Sequence, residues 1–191
     1  SMQSQSKQRL MKTYGDSASS AGSPLRAIEV PYREKPGAIY RRLVHLGDTV
    51  LLDSGDSERG RWDVLAAAPD ADAGLELHGD ASKAVMHRAL GSFLAESERR
   101  CPLDVAQRDR GDDIFAAGDR PPFTGGYIGP LSYEPGRRLH GLAPRPITTP
   151  LASVRYYPWC IVQDRLRRRC WLLGDYDDAL AEDIIACLHA D

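Results

Sequence analysis

The clearest periodicity in the chain runs from Lys83 to about Arg99, where Val85, Met86, Ala89, Leu90, Phe93 and Leu94 keep to helical spacing. That pattern predicts a helix with one face buried against a sheet, capped at its start by Asp80 or Ser82. A shorter helix is predicted from Gly37 to Leu46, set up by Pro36, with Ile39, Tyr40, Leu43 and Leu46 inward and Arg41, Arg42 and His45 outward. Asp48 ends it. A third helix is predicted over Asp177 to Ala190, where acids occupy the first turn and Leu180, Ile184, Cys187 and Leu188 share one face. Between the helices, Leu25 to Pro31 alternates as a strand, Thr49 to Leu52 reads as a buried strand, and strand character returns at Arg61 to Ala67 and around Leu75 to His78. Leu151 to Gln163 and Arg169 to Leu173 form an antiparallel pair, turning at Asp164 to Arg168.

Glycines and aromatics alternate in P-F-T-G-G-Y-I-G-P-L-S-Y-E-P-G-R-R-L, Pro122 to Leu139. Gly125, Gly126, Gly129 and Gly136 let the backbone approach other elements closely, while Phe123, Tyr127 and Tyr133 fill the space around it, as in a buried hinge between two strands. Arg137 and Arg138 follow a turn at Pro135 and Gly136. On residue types alone this is a glycine-kinked strand pair ending in solvated arginines. The charged, glycine-containing run from Cys101 to Arg120 is a connector, and the prolines from His140 to Pro150 exclude a central strand or a helix. The expected architecture is α+β: a mixed, mostly antiparallel sheet with helices packed on its outer side. Residues 1–24 form a polar tail expected to be flexible, too poor in apolar residues for a signal peptide or anchor, and 25–191 form the folded domain.

Composition narrows the function classes. The 191 residues, 42% of them hydrophobic, suffice for one domain with its own core. A net charge of -2 offers no general attraction for nucleic acid or an anionic membrane. Arg165, Arg167, Arg168 and Arg169 are the one basic cluster, and at a hairpin tip without basic surroundings they read as a solvated turn. Cys101, Cys160, Cys170 and Cys187 form no C-x-x-C pair and no metal-ligand spacing, which fits reduced thiols in a cytoplasmic protein. His45, His78, His87, His140 and His189 are scattered, with no Ser or Cys nucleophile motif beside them, and read as surface residues. Gly125-Gly126-x-x-Gly129 lacks the ending of a phosphate loop. No complete catalytic constellation is present, and no cofactor site is expected in the chain.

Three blocks in order nevertheless carry a family resemblance. Leu51-Leu52-Asp53-Ser54-Gly55, then Gly60-Arg61-Trp62-Asp63-Val64 and Ala68-Pro69, then the Pro122 to Leu139 stretch and Tyr157 to Gly174, resemble the N-terminal region of aminodeoxychorismate synthase component I. That family is the para-aminobenzoate branch of the chorismate-utilising enzymes, whose motif has Tyr-Asp where Tyr133-Glu134 stands here. The resemblance implies a non-catalytic half of a folate-pathway enzyme that makes 4-amino-4-deoxychorismate from chorismate and glutamine-derived ammonia. The chorismate-binding domain and its Mg²⁺ site would then belong to a second half absent from this sequence, and the chain alone is expected to be inactive. The resemblance also implies a glutamine amidotransferase subunit as partner, and self-association of the chain through surface that the second half would cover. In several relatives this half holds a tryptophan molecule. Carried over by motif, the ligand-binding residues are Ser54, Gly60, Arg61 and Trp62, with Arg61 supplying charge to the ligand's carboxylate. Equally, Ser54 can be a turn residue and Arg61 a strand-start residue. Two other readings stand beside this one: the corresponding region of anthranilate synthase component I, disfavoured because its L-L-E-S motif is L-L-D-S here, and a free-standing amino-acid-binding regulatory module.

Overall fold

A computed structural model describes residues 25–53, 60–100, 115–116, 118–130, 140–141 and 151–190. Its centre is the hairpin of β7 (Trp159–Asp164) and β8 (Arg169–Gly174), whose residues are buried except at the Arg169 end. Strands with both faces covered carry apolar residues at successive positions, and W-C-I-V and C-W-L-L do so. β1 (Arg26–Val30) adds along β8, β3 (Trp62–Ala66) along β7, and β2 (Val50–Asp53) along β3, giving a five-stranded sheet in the order β1-β8-β7-β3-β2. A three-stranded sheet, β4-β6-β5, is built from β4 (Asp70–Leu77), β5 (Gly126–Ile128) and β6 (Ala152–Tyr157). Every described pairing is antiparallel, so the α+β class holds while the mixed sheet becomes two antiparallel ones.

The two helices on one face of the larger sheet form where the periodicity places them. α1 (Pro36–Leu43) starts with Pro36 in its first turn, buries Ile39 and Leu43, and tightens into a 3₁₀ turn that buries Leu46. Gly47 and Asp48, both at positive φ, then reverse the chain. α3 (Asp178–His189) is capped by Asp177, whose carboxylate accepts the Leu180 N–H at 2.8 Å. Leu180, Ile184 and Leu188 pack with Ile39, Leu43, Leu65, Trp159, Ile161 and Leu172 in one core. α2 (Lys83–Arg100) lies instead on the smaller sheet, where Met86 meets Leu75, Leu77 and Leu151.

Four expectations are corrected. Leu151 to Gln163 is not one strand: the chain breaks at Pro158, so β6 and β7 enter different sheets. Pro158 has no N–H to continue a ladder, and its carbonyl accepts the Asp175 N–H at 2.9 Å. Gly125 and Gly174, both at positive φ, crowd that carbonyl so closely that a Cβ on either would run into it. The glycine stretch thus does provide a close backbone approach, at Gly125; residues 131–139 lie outside the described set. Thr49 to Leu52 is an edge strand rather than a buried one, with Leu52 49% exposed. β4 begins at Asp70, well before Leu75, because an irregularity between Asp70 and Gly74 interrupts the alternation. The buried face of α2 is also narrower than its hydrophobic pattern: Met86 is buried and Ala89, Leu90 and Phe93 are partly covered, while Val85 and Leu94 point outward. A three-stranded sheet covers only a narrow stripe of a helix.

Candidate functional site

Asp53 pairs with Asp63 in the β2–β3 register, which sets Gly60, Arg61 and Trp62 beside the end of β2. Across the next ladder Trp62 pairs with Asp164 and Asp63 with Gln163. Side chains alternate across a strand, so Trp62 and Asp164 stand on the face opposite the helices, and Asp63 and Gln163 stand on the helix face. Asp63, Gln163 and Asp164 are all fully buried. Each charge among them is paired.

The pairing is reciprocal. Arg61 donates from Nε and Nη2 to Asp164 Oδ1 and Oδ2, at 3.0 and 2.8 Å. Arg165 donates from Nε and Nη2 to Asp63 Oδ2 and Oδ1, at 2.9 and 2.7 Å. The Arg165 N–H closes the figure on the Arg61 carbonyl at 2.8 Å. Two planar guanidinium forks thereby neutralise two buried carboxylates, one on each face of the same sheet end. Asp164 Oδ1 also accepts the N–H groups of Leu166 and Arg167, at 3.0 and 3.2 Å, and so shapes the hairpin tip. On the helix side, the Gln163 amide accepts the Arg33 N–H at 2.7 Å and donates to its carbonyl at 2.8 Å, holding the chain after β1.

Arg61 reaches further. Its Nη2 donates to Asp119 Oδ1 at 2.6 Å, its Nη1 to the Gly118 carbonyl at 2.8 Å, and its plane lies over the Trp62 ring, 4.6 Å from the centroid. Burial by itself would raise the Asp164 carboxyl. The hydrogen bonds from Arg61, Arg167 and Leu166 outweigh it, so the group sits below the ordinary carboxylate value. The Arg61 hydrogen bond likewise lowers Asp119, helped by Arg167.

Of the four residues carried over by motif, the structure places Gly60, Arg61 and Trp62 together at the start of β3, and Ser54 lies outside the described residues. Four hydrogen bonds already occupy Arg61, and the carboxylates among them are the protein's own. Trp62 keeps one side of its ring beneath Arg61 and is partly buried beside Val64, Val162 and Trp171. Asp119 and Asp164, which the motif comparison missed, are the groups that organise this corner. The sequence signals were R-W-D opening one strand and D-R closing another.

The hairpin-tip arginines are not simply solvated. Arg165 holds Asp63, Arg167 contacts Asp119 at 3.4 Å, Arg168 pairs with Glu34 and stacks over Tyr32, and Arg169 pairs with Glu29 at 2.8 Å. Nor are the Cys and His residues all apart: Cys187 Sγ lies 3.7 Å from His45 Nε2. Burial and the nearby Asp183 push that thiol up, the opposite of nucleophile activation. Cys160 and Cys170 are free and buried, and sit on opposite faces of the hairpin. Among the described residues no three His, Cys, Asp or Glu side chains converge as metal ligands. None of the described helices is long and apolar enough to cross a membrane.

No protein-family model matches the chain. Among curated proteins, aminodeoxychorismate synthase component 1 of Escherichia coli (strain K12) is 31% identical over 163 residues, covering 78% of this chain and 33% of that protein. Aminodeoxychorismate synthase component 1 of Klebsiella aerogenes is 28% identical over 162 residues, covering 81% of this chain and 34% of its own length. The chain therefore spans about a third of the length of the curated relatives it matches. By sequence it is a relative of aminodeoxychorismate synthase component 1, alike over that third.

Proposed function

We propose that this chain is the N-terminal, non-catalytic half of an aminodeoxychorismate synthase component 1. In this reading it supports a second part that converts chorismate, with Mg²⁺ bound there, to 4-amino-4-deoxychorismate. Ammonia comes from glutamine by way of a glutamine amidotransferase subunit, in keeping with the relatives' designation as component 1. The observation that carries the reading is the alignment itself: 31% identity along 78% of this chain, confined to a third of the relative.

The same reading assigns an amino-acid site to Ser54, Gly60, Arg61 and Trp62. Here Trp62 offers an aromatic wall, Gly60 and Ser54 offer backbone and hydroxyl groups to a tryptophan ligand, and Arg61 holds Trp62 in place. The chain alone would self-associate through apolar surface such as Leu52.

The test is reconstitution. The purified chain given chorismate, ammonia and Mg²⁺ is expected to form no aminodeoxychorismate. Added to a polypeptide carrying the remaining two thirds of the Escherichia coli relative, it is expected to raise turnover above that of the polypeptide alone. Turnover by the chain alone, or no gain on mixing, overturns the reading. In the active mixture, Ser54→Ala and Trp62→Ala are each expected to weaken calorimetric tryptophan binding about tenfold or more.

A further inference from the structure

The second face of the five-stranded sheet carries Trp62, Val64, Cys160, Val162, Trp171 and Leu173, and none of the described helices packs on it. Irregular chain contributes Phe115 and Phe123 to its cover. Phe115 is 8% exposed and stands edge-on to Trp171, with centroids 5.3 Å apart and planes at 87°. Phe123 packs against the same cluster, and its carbonyl accepts the Cys160 S–H at 3.7 Å. Between these two rings Pro121 is buried, and polar attachments join the Gly118 carbonyl and the Asp119 carboxylate to Arg61, and Asp119 to Arg167. Beyond Phe123 the chain is fixed again by β5 pairing with β6.

We propose that the Gly118–Asp119 turn is a latched strap, held by Arg61 and Arg167, which keeps Phe115 and Phe123 down on this face and releases them together when the latch opens. The latch is weak by construction. Asp119 is 31% exposed, Arg61 24% and Arg167 59%, so water and salt compete for these bonds. The anchor is strong. Arg61 keeps its two bonds to buried Asp164 whether or not Asp119 is attached, so it is a positioning residue that stays in place while the strap moves. Opening uncovers Cys160, Val162 and Trp171 without disturbing the helix face, because Cys170 and Leu172 on that face are covered by α1 and α3. The strap shares Arg61 with the proposed amino-acid site, but its test reads cysteine labelling without any ligand, so the two stand or fall separately.

The two buried cysteines report on the two faces. Parent chain and variants are treated with N-ethylmaleimide, and labelling of the Cys160 and Cys170 peptides is followed by mass spectrometry. Each cysteine is compared with itself across variants, so their different thiol acidities cancel. Asp119→Asn is expected to speed Cys160 labelling about tenfold and to leave Cys170 unchanged, while Asp119→Glu keeps the parent rate. In the parent chain, raising sodium chloride is expected to speed Cys160 relative to Cys170. The strap is overturned if both cysteines speed up together in Asp119→Asn, which reports general destabilisation. It is equally overturned if Cys160 responds to neither the substitution nor salt.

Discussion

The two faces of the five-stranded sheet are covered by different physics. On one, α1 and α3 lay aliphatic side chains against Leu65, Ile161 and Leu172, and helical backbone supplies most of its own hydrogen bonds, with Thr49 and Arg33 reaching the Leu43 and Leu188 carbonyls at the helix ends. On the other, the described cover includes Phe115 and Phe123, borne on chain without regular structure, and Arg61, Arg167 and Cys160 bond to polar groups of that chain. A helix brings its own backbone satisfaction to a core, whereas irregular chain must find it in side chains. The first face is therefore set by apolar periodicity, and the second by a few specific charges.

Leu172 and Leu173 make the sharpest comparison, being neighbours in β8 that are both fully buried on opposite faces. Leu172→Ala is expected to cost about 4 kcal/mol and Leu173→Ala about 2.5 kcal/mol, because an irregular cover collapses into a cavity more readily than two packed helices. Urea denaturation of both variants measures it, and equal losses would erase the distinction. Arg165→Met comes next. It leaves Asp63 buried without its counter-ion on the helix face and should cost roughly 3 kcal/mol, recovered in large part by adding Asp63→Leu. The same denaturation series checks both steps.

The smallest effect is that of pH. Asp119 and Asp164 have folded values below the ordinary 3.8, so the unfolded chain takes up protons first as the pH drops. Their contribution is fully present above that value and is lost as the pH falls from it through the depressed folded values. Arg61 and Arg167 are the cations that face these two groups. Asp119→Asn is expected to flatten the acid limb of stability measured across a pH series, while Asp178→Asn, at an exposed surface pair, should leave it nearly unchanged.

What could be read from the residues follows the same division. The β7–β8 hairpin, α1 and α3 were legible because their signals are local: apolar runs, Pro36 opening a helix, Asp177 capping one. The break at Pro158 was not, because an apolar run looks alike whether it stays in one sheet or passes between two. The excess width assigned to the buried stripe of α2 has a related cause, since the pattern marks apolar positions and not the size of the sheet that receives them. At the candidate site, the strand expected over Arg61 to Ala67 runs from Trp62 to Ala66. The partners of Arg61 lie far along the chain, at Asp119 and Asp164, and no local pattern joins them.

The nested order of the two sheets has a kinetic consequence. All three strands of the smaller sheet lie between β3 and β7, so the larger sheet can be completed only when the two ends of the chain meet across that whole insertion. The β7–β8 hairpin closes a short loop and can form within microseconds, whereas β3 and β1 must find it from far away. Loop closure grows costlier by only about 0.6 kcal/mol per doubling of length, so the penalty is one of search time more than of stability. A nascent chain leaving the ribosome must hold β1, α1 and the β2–β3 pair apart from the centre of the sheet until β7 and β8 have been made. Ordered growth of this kind favours a slow, late-closing larger sheet, with the smaller one condensing around β6 just before it.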